Sequence, residues 1–144
     1  MKHSCSCHRR TTWCFQILAA VILGQTLFFK FGGSEESRHI FSALGIEPWG
    51  RIGTACLETV AVGLLLFPRT AVWGGILSVG LMSGAILAHL TRLGLEVRDD
   101  GGLLFVLAVT VWMSGGLVVW LRRTELPWIS RASAPQCSVG IRAT

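Results

Sequence analysis

The chain has 144 residues, of which 51 % are hydrophobic and only 15 % charged, with a formal net charge of +5 and a mean hydropathy of +0.58. That balance excludes a well-solvated globular domain and points to an integral membrane protein. The positive charge does not imply a nucleic-acid partner, because the basic residues sit at the ends of apolar runs and in the polar tails, where membrane flanking accounts for them.

Four runs are nearly free of charge: residues 13–29, 52–67, 71–90 and 102–121. A spanning helix needs about 20 apolar residues, so the first two runs are expected to extend to Lys30 and Arg51. The expected fold is all-α, a four-transmembrane-helix bundle over residues 13–123 between polar tails at 1–12 and 124–144 that read as mobile. With four spans, Lys2, Arg9, Arg10, Arg69, Arg122, Arg123, Arg131 and Arg142 share one side, and Lys30, Arg38, Arg51, Arg92 and Arg98 the other. The positive-inside rule then puts both termini in the cytoplasm of a multi-pass cell-membrane protein. Lys2, Arg9 and Arg10 before an apolar core resemble a signal peptide, but "FFKFGGSEES" offers no small-residue cleavage site, so the run is read as a retained span.

The N-terminal stretch "HSCSCH" groups His3, Cys5, Cys7 and His8. Thiolates and imidazoles suit Cu(I) or Zn, yet the spacing fits no standard zinc pattern and no metal site is assigned. Cys14, Cys56 and Cys137 are not placed to form a bridge, which also disfavours thiol oxidase chemistry. Between runs one and two, "GGSEESRHIFSALGIEPW" reads as a short amphipathic helix at the outer interface. Ser34 supplies its N-cap, Glu35 and Glu36 lie in its first turn, Ile40, Phe41 and Leu44 form its apolar side, and Gly45 ends it. The turn "PRT" at 68–70 forces runs two and three to be antiparallel neighbours. Gly80, Gly84 and Ala88 in run three, and Ser114, Gly115 and Gly116 in run four, are expected to pack within the bundle.

Glu58 stands alone in "TACLETVAVGLLLF". An ionised group at the bilayer centre costs about 2.5–3.5 kcal/mol on insertion scales, so it needs a partner. Arg51 lies seven residues earlier on the same helical face, its Cα about 10.5 Å away, within reach if both side chains turn toward each other. The topology brings Lys30 and His89 to the same depth. Lys30, Arg51, Glu58 and His89 are therefore expected to converge on one polar pocket. Taken singly, Lys30 and Arg51 also fit snorkelling interface anchors. A buried Glu near a His can hold and pass protons, and Lys30 and Arg51 can bind a quinone head group or an anionic substrate. A second reading is a non-catalytic membrane scaffold, and a third, solute permeation, requires a homo-oligomer.

Read together, "LGQTLFFKFGG", "FSALGIEPWGRIGTACLETVAVGLLLFPRTAVWGG" and "GAILAHL" resemble the DoxX-like family of small four-helix membrane proteins, over residues 15–122. The shared marks fall on Lys30, Leu44 to Trp49, Arg51, Glu58 and Ala85 to His89. The resemblance implies a membrane subunit of a redox complex with quinone as acceptor. The oxidoreductase partner that handles a soluble donor would then be a separate chain, so this chain is expected to act as a subunit and not as a complete enzyme.

Overall fold

The computed structural model describes residues 3–97 and 100–123, with residues 3–9 described by their backbone alone. Its helices are α1 (His3–Gly32), α2 (Glu35–Ala43), α3 (Trp49–Leu66), α4 (Ala71–Ala88) and α5 (Leu103–Arg122), and a π-helical turn at His89–Leu93 prolongs α4. Four stretches are long and apolar enough to cross a membrane: Arg10–Gly32, Trp49–Leu66, Ala71–Leu93 and Leu103–Arg122. The protein is thus an all-helical four-span membrane protein. Each long helix packs against two others, in the closed order α1, α3, α4, α5.

The first helix differs from expectation in its start. Residues 3–12, read from the sequence as a tail, continue α1 without a break. At 30 residues the helix is about 45 Å long, longer than a hydrocarbon core of about 30 Å, so its N-terminal turns carry the polar residues beyond the span. The C-terminal tail from 124 lies outside the described residues.

The interior is built from small side chains. Ala19, Ala20, Ala61, Ala71 and Ala108 join Leu23, Leu65, Met82, Val111 and Val118 in the core, while Val21, Val60, Leu87, Met113 and Trp120 face outward. This inverted distribution suits lipid, where no hydrophobic drive brings helices together and close backbone approach must do so. The tightest approaches lie at Gly74, Gly75 and Gly115. A Cβ on Gly75 would come within 3.0 Å of the Gly115 carbonyl and 2.9 Å of Val119, and one on Gly74 would meet the Leu65 amide at 2.6 Å. Gly80 and Gly84 do not share this role: a Cβ on either meets nothing within 4 Å, and both are exposed. Gly80 and Gly84 therefore lie on the outer surface of α4, contrary to the expected packing within the bundle, while Ala88 is half-buried.

The connections follow local chemistry. Ser34 caps α2 by accepting the Ser37 amide at 3.3 Å, Glu35 and Glu36 favour the positive end of its dipole, and Gly45 follows in the left-handed region at φ +73°. Phe41 is buried against the bundle end, and α2 touches α1, α3 and the π turn. Ahead of α5, Asp100 accepts the Gly102 and Leu104 amides at 2.9 and 3.0 Å and also the Val97 amide at 2.9 Å. Burial alone would raise its carboxyl, but these three amides outweigh it, helped by the nearby His89 charge, and hold the pKa below the ordinary 3.8.

Two outcomes are expected. Gly75→Val lowers the thermal unfolding midpoint in detergent by the equivalent of about 1–3 kcal/mol of overpacking, whereas Gly80→Val, which points into open space, does not; comparable losses would refute the assigned contact. Because Asp100 is depressed in the fold, its contribution is complete above the unfolded value and is lost as pH falls through the lower folded value. Asp100→Ala should cost about 0.5–2 kcal/mol near neutrality, and the gap to the wild type in denaturation curves should close only below about pH 4.

Candidate functional site

The polar groups of the membrane interior gather where α1 ends and α3 begins. Glu58, midway along α3, has 1 % of its surface exposed. Its Oε1 pairs with the Lys30 ammonium, and its Oε2 lies 3.3 Å from the Thr26 hydroxyl. Thr26 and Lys30 are one turn apart on α1, so both point at the same carboxyl. The Thr26 hydroxyl also reaches the Leu23 carbonyl at 2.8 Å. Having one proton, it can serve Glu58 or Leu23 but not both at once.

Lys30 joins a second polar unit through its backbone. Its carbonyl, one of those left open at the end of α1, accepts from Arg51 Nη1, while Arg51 Nε donates to Glu47 Oε1 at 2.8 Å. A guanidinium in the first turn of α3 opposes the helix dipole. It is stabilised here by Glu47 and by the negative end of α1. Arg51 is 9 % exposed and does not extend as a free snorkelling anchor. Nor does it meet Glu58, as the shared helical face suggested: Lys30 is the partner of Glu58. The reason is directional. Side chains leave a helix tilted toward its N-terminus, so Arg51 leans away from Glu58 and toward Glu47 and the end of α1.

His89 is also buried but does not join the cluster. Its Nδ1 lies 3.0 Å from the Gly94 carbonyl, and its ring packs edge-on against Phe105 with centroids 5.8 Å apart. Among the described residues no hydrogen bond or ion pair links it to Lys30, Arg51 or Glu58. The π turn that begins at His89 widens the helix and directs the imidazole into the loop before α5. Three of the four candidate residues thus form one network, and Thr26 enlarges it. Thr26 lay unnoticed in the run "GQTLFFK", although it precedes Lys30 by four residues.

A further polar group lies at the opposite end of the bundle. Gln16 on α1 is fully buried, and its Oε1 faces Arg122 Nη2 at 3.5 Å, while Arg122 Nη1 donates to the Pro68 carbonyl in the α3–α4 turn. Arg122 ties α5 to that turn and to α1. From sequence it reads only as a flanking charge, since its partners are 54 and 106 residues away. Cys14 and Cys56 are free and exposed. The side chains of His3, Cys5, Cys7 and His8, and Cys137, lie outside the described residues.

Comparison with curated proteins and with solved structures finds no match. The DoxX-like family model matches residues 14–115, a span that begins in α1, ends in α5 and includes Thr26, Lys30, Arg51, Glu58 and His89. With most of the chain covered, including the whole polar network at the α2 end, the protein belongs to the DoxX-like family.

Proposed function

We propose that the protein is a membrane subunit of a redox complex in which the Lys30–Glu58–Thr26 network handles protons for a quinone at the α2 end of the bundle. The observation that carries this reading is the arrangement around Glu58 Oε2. With Thr26 donating to Glu58, the carboxylate has two donors and suits its charged form. With Thr26 donating to Leu23, its lone pairs can face Oε2 and accept a hydrogen bond from the neutral acid. A buried carboxyl that is satisfied in both protonation states can take up and release a proton without moving the helices.

The residues also fit a quinone. Lys30 has three N–H groups, of which Glu58 uses one, and 19 % of its side chain is exposed. It can donate to a carbonyl oxygen arriving from the lipid side, while Thr26 and Glu58 lie behind it. A bound quinone would supply the electron- and proton-accepting chemistry; the chain would supply orientation through Lys30 and a proton site at Glu58. Arg51 and His89 then serve by position. Arg51 fixes the end of α1 that carries Lys30, and His89 secures the loop before α5. The electron donor is assigned to a partner oxidoreductase subunit. Both termini and the α3–α4 turn face the cytoplasm of the cell membrane in this scheme, which puts the network on the outer side.

The completeness of the network favours a second reading, a non-catalytic scaffold. Lys30–Glu58 and Arg51–Glu47 are both paired, as a purely structural lock would be. The two readings diverge experimentally. Native mass spectrometry after mild extraction from the source membranes should find about one quinone per wild-type chain, lost in Lys30→Met; a bare wild-type chain, with other complexes preserved, would refute quinone binding. Glu58→Gln should leave the protein inserted but reduce quinone-coupled turnover about 10²-fold or more, the usual size of a general acid–base contribution, with a changed pH profile. If the ion pair serves only assembly, either Lys30→Glu or Glu58→Lys lowers accumulation and the double exchange restores it, with no effect on a pH–rate profile.

A further inference from the structure

The α2 end holds a cation that the network does not use. Arg38, on α2, is exposed, and among the described residues its guanidinium has no hydrogen-bond or ion-pair partner. It nevertheless has a defined position. Gly33 takes φ +63°, and the point where its Cβ would sit is 3.1 Å from both Arg38 Nε and Arg38 Nη2 and 3.5 Å from Arg51 Nη1. The two guanidinium groups therefore flank one point of the backbone that carries no side chain to separate them. Arg51 has committed Nε to Glu47 and Nη1 to the Lys30 carbonyl, which leaves Nη2 open. Two like charges held this close repel unless an anion lies between or above them.

We propose that Arg38 and Arg51, cradled by Gly33, form a binding site for a tetrahedral oxyanion of the phosphate type. The chemistry selects the shape. The open Arg38 fork grips two oxygens at once, and Arg51 Nη2 adds a third donor; a tetrahedral oxyanion has a further oxygen for it, whereas both oxygens of a carboxylate are taken by the fork. Charge agrees as well. Lys30 and Arg51 are paired with Glu58 and Glu47, and among the described residues Arg38 is the member of the three with no ion-pair partner. Phe28, Phe31, Ile46 and Trp49 stand exposed at this end, as expected of residues at the level of lipid headgroups. The oxyanion can thus come from an anionic phospholipid or from solution. The site shares Arg51 with the quinone reading but does not use the Lys30 ammonium, Thr26 or Glu58.

The test uses the full chain and two arms. In one, the wild-type protein and Arg38→Gln are taken from nanodiscs of phosphatidylcholine with phosphatidylglycerol, and retained phosphatidylglycerol is counted by native mass spectrometry. In the other, inorganic phosphate is titrated in non-ionic detergent and the unfolding midpoint is followed. Arg92→Gln, which removes an exposed cation from the π turn at the same end of the bundle, controls for general charge. The wild type and Arg92→Gln should bind about tenfold more tightly than Arg38→Gln, the usual cost of losing one charged hydrogen-bonding partner. Selective lipid retention without a phosphate response assigns the site to a headgroup, and a phosphate response lost in Arg38→Gln assigns it to a soluble oxyanion. Equal behaviour of wild type and Arg38→Gln in both arms, or an equal loss in Arg92→Gln, would overturn the proposal.

Discussion

A carboxylate that enters a membrane must bring its counter-charge with it, and in this protein the pairing of Glu58 with Lys30 decides how the helices are arranged. Glu58 is two turns inside α3, too deep for a short side chain to reach water. Lys30 closes α1 and can reach inward because its stem is long. Satisfying the pair requires α1 and α3 to be neighbours with the end of one beside the start of the other, and the rest of the α2 end follows. Arg51 can then cap the open carbonyl of Lys30, Glu47 can neutralise Arg51, and α2 is left to cover the joint. An unpaired partner inside the bundle would be far more costly than the pair is stabilising, so the network acts mainly as a selector of one arrangement over others.

Between the two polar ends the bundle relies on closeness. Alanine and glycine fill the interior, and the backbones of α4 and α5 touch at Gly75 and Gly115. Larger side chains there would hold the helices apart and weaken the dispersion contacts that replace hydrophobic drive in lipid. At the far end the Arg122 guanidinium takes the Pro68 carbonyl and reaches Gln16, joining α5 to the α3–α4 turn and to α1. The molecule is thus fastened at both ends by hydrogen bonds and in the middle by fit.

Much of this could be read from the residues, and the misses share one physical origin. Apolar runs give the spans because lipid demands length and composition and little else. Ser34, Glu35, Glu36 and Gly45 announce α2 because capping is local. Glu58 could be marked as a buried polar site because its cost is independent of what surrounds it. Its partner could not be assigned, because the choice between Lys30 and Arg51 turns on which way side chains lean from a helix, and spacing alone is silent on that. The π turn at His89 likewise depends on a backbone detail with no clear residue signature. Gly80, Gly84 and Ala88 are on one face by spacing, but only the order of the helices around the bundle decides whether that face is inside. Gln16 and Arg122 belong to the same class, since their contact joins the first helix to the last.

The two ends of the bundle differ in what they leave available. At the Arg122 end the functional groups are enclosed: Gln16 is fully buried, and the guanidinium is spent on holding three elements together. At the α2 end Lys30 retains free donors at a partly exposed ammonium, and Arg38 has its whole fork open beside Arg51. Exchange with a ligand requires groups that can gain a partner without losing one that holds the fold, and Lys30 and Arg38 at the α2 end are such groups. Binding there also avoids disturbing the glycine contacts between α4 and α5, because α1, α2 and α3 carry all of the residues concerned. The asymmetry gives one enclosed end and one end with donors to spare, an arrangement that suits the proposed binding of a lipid-borne or soluble ligand without disturbing the bundle.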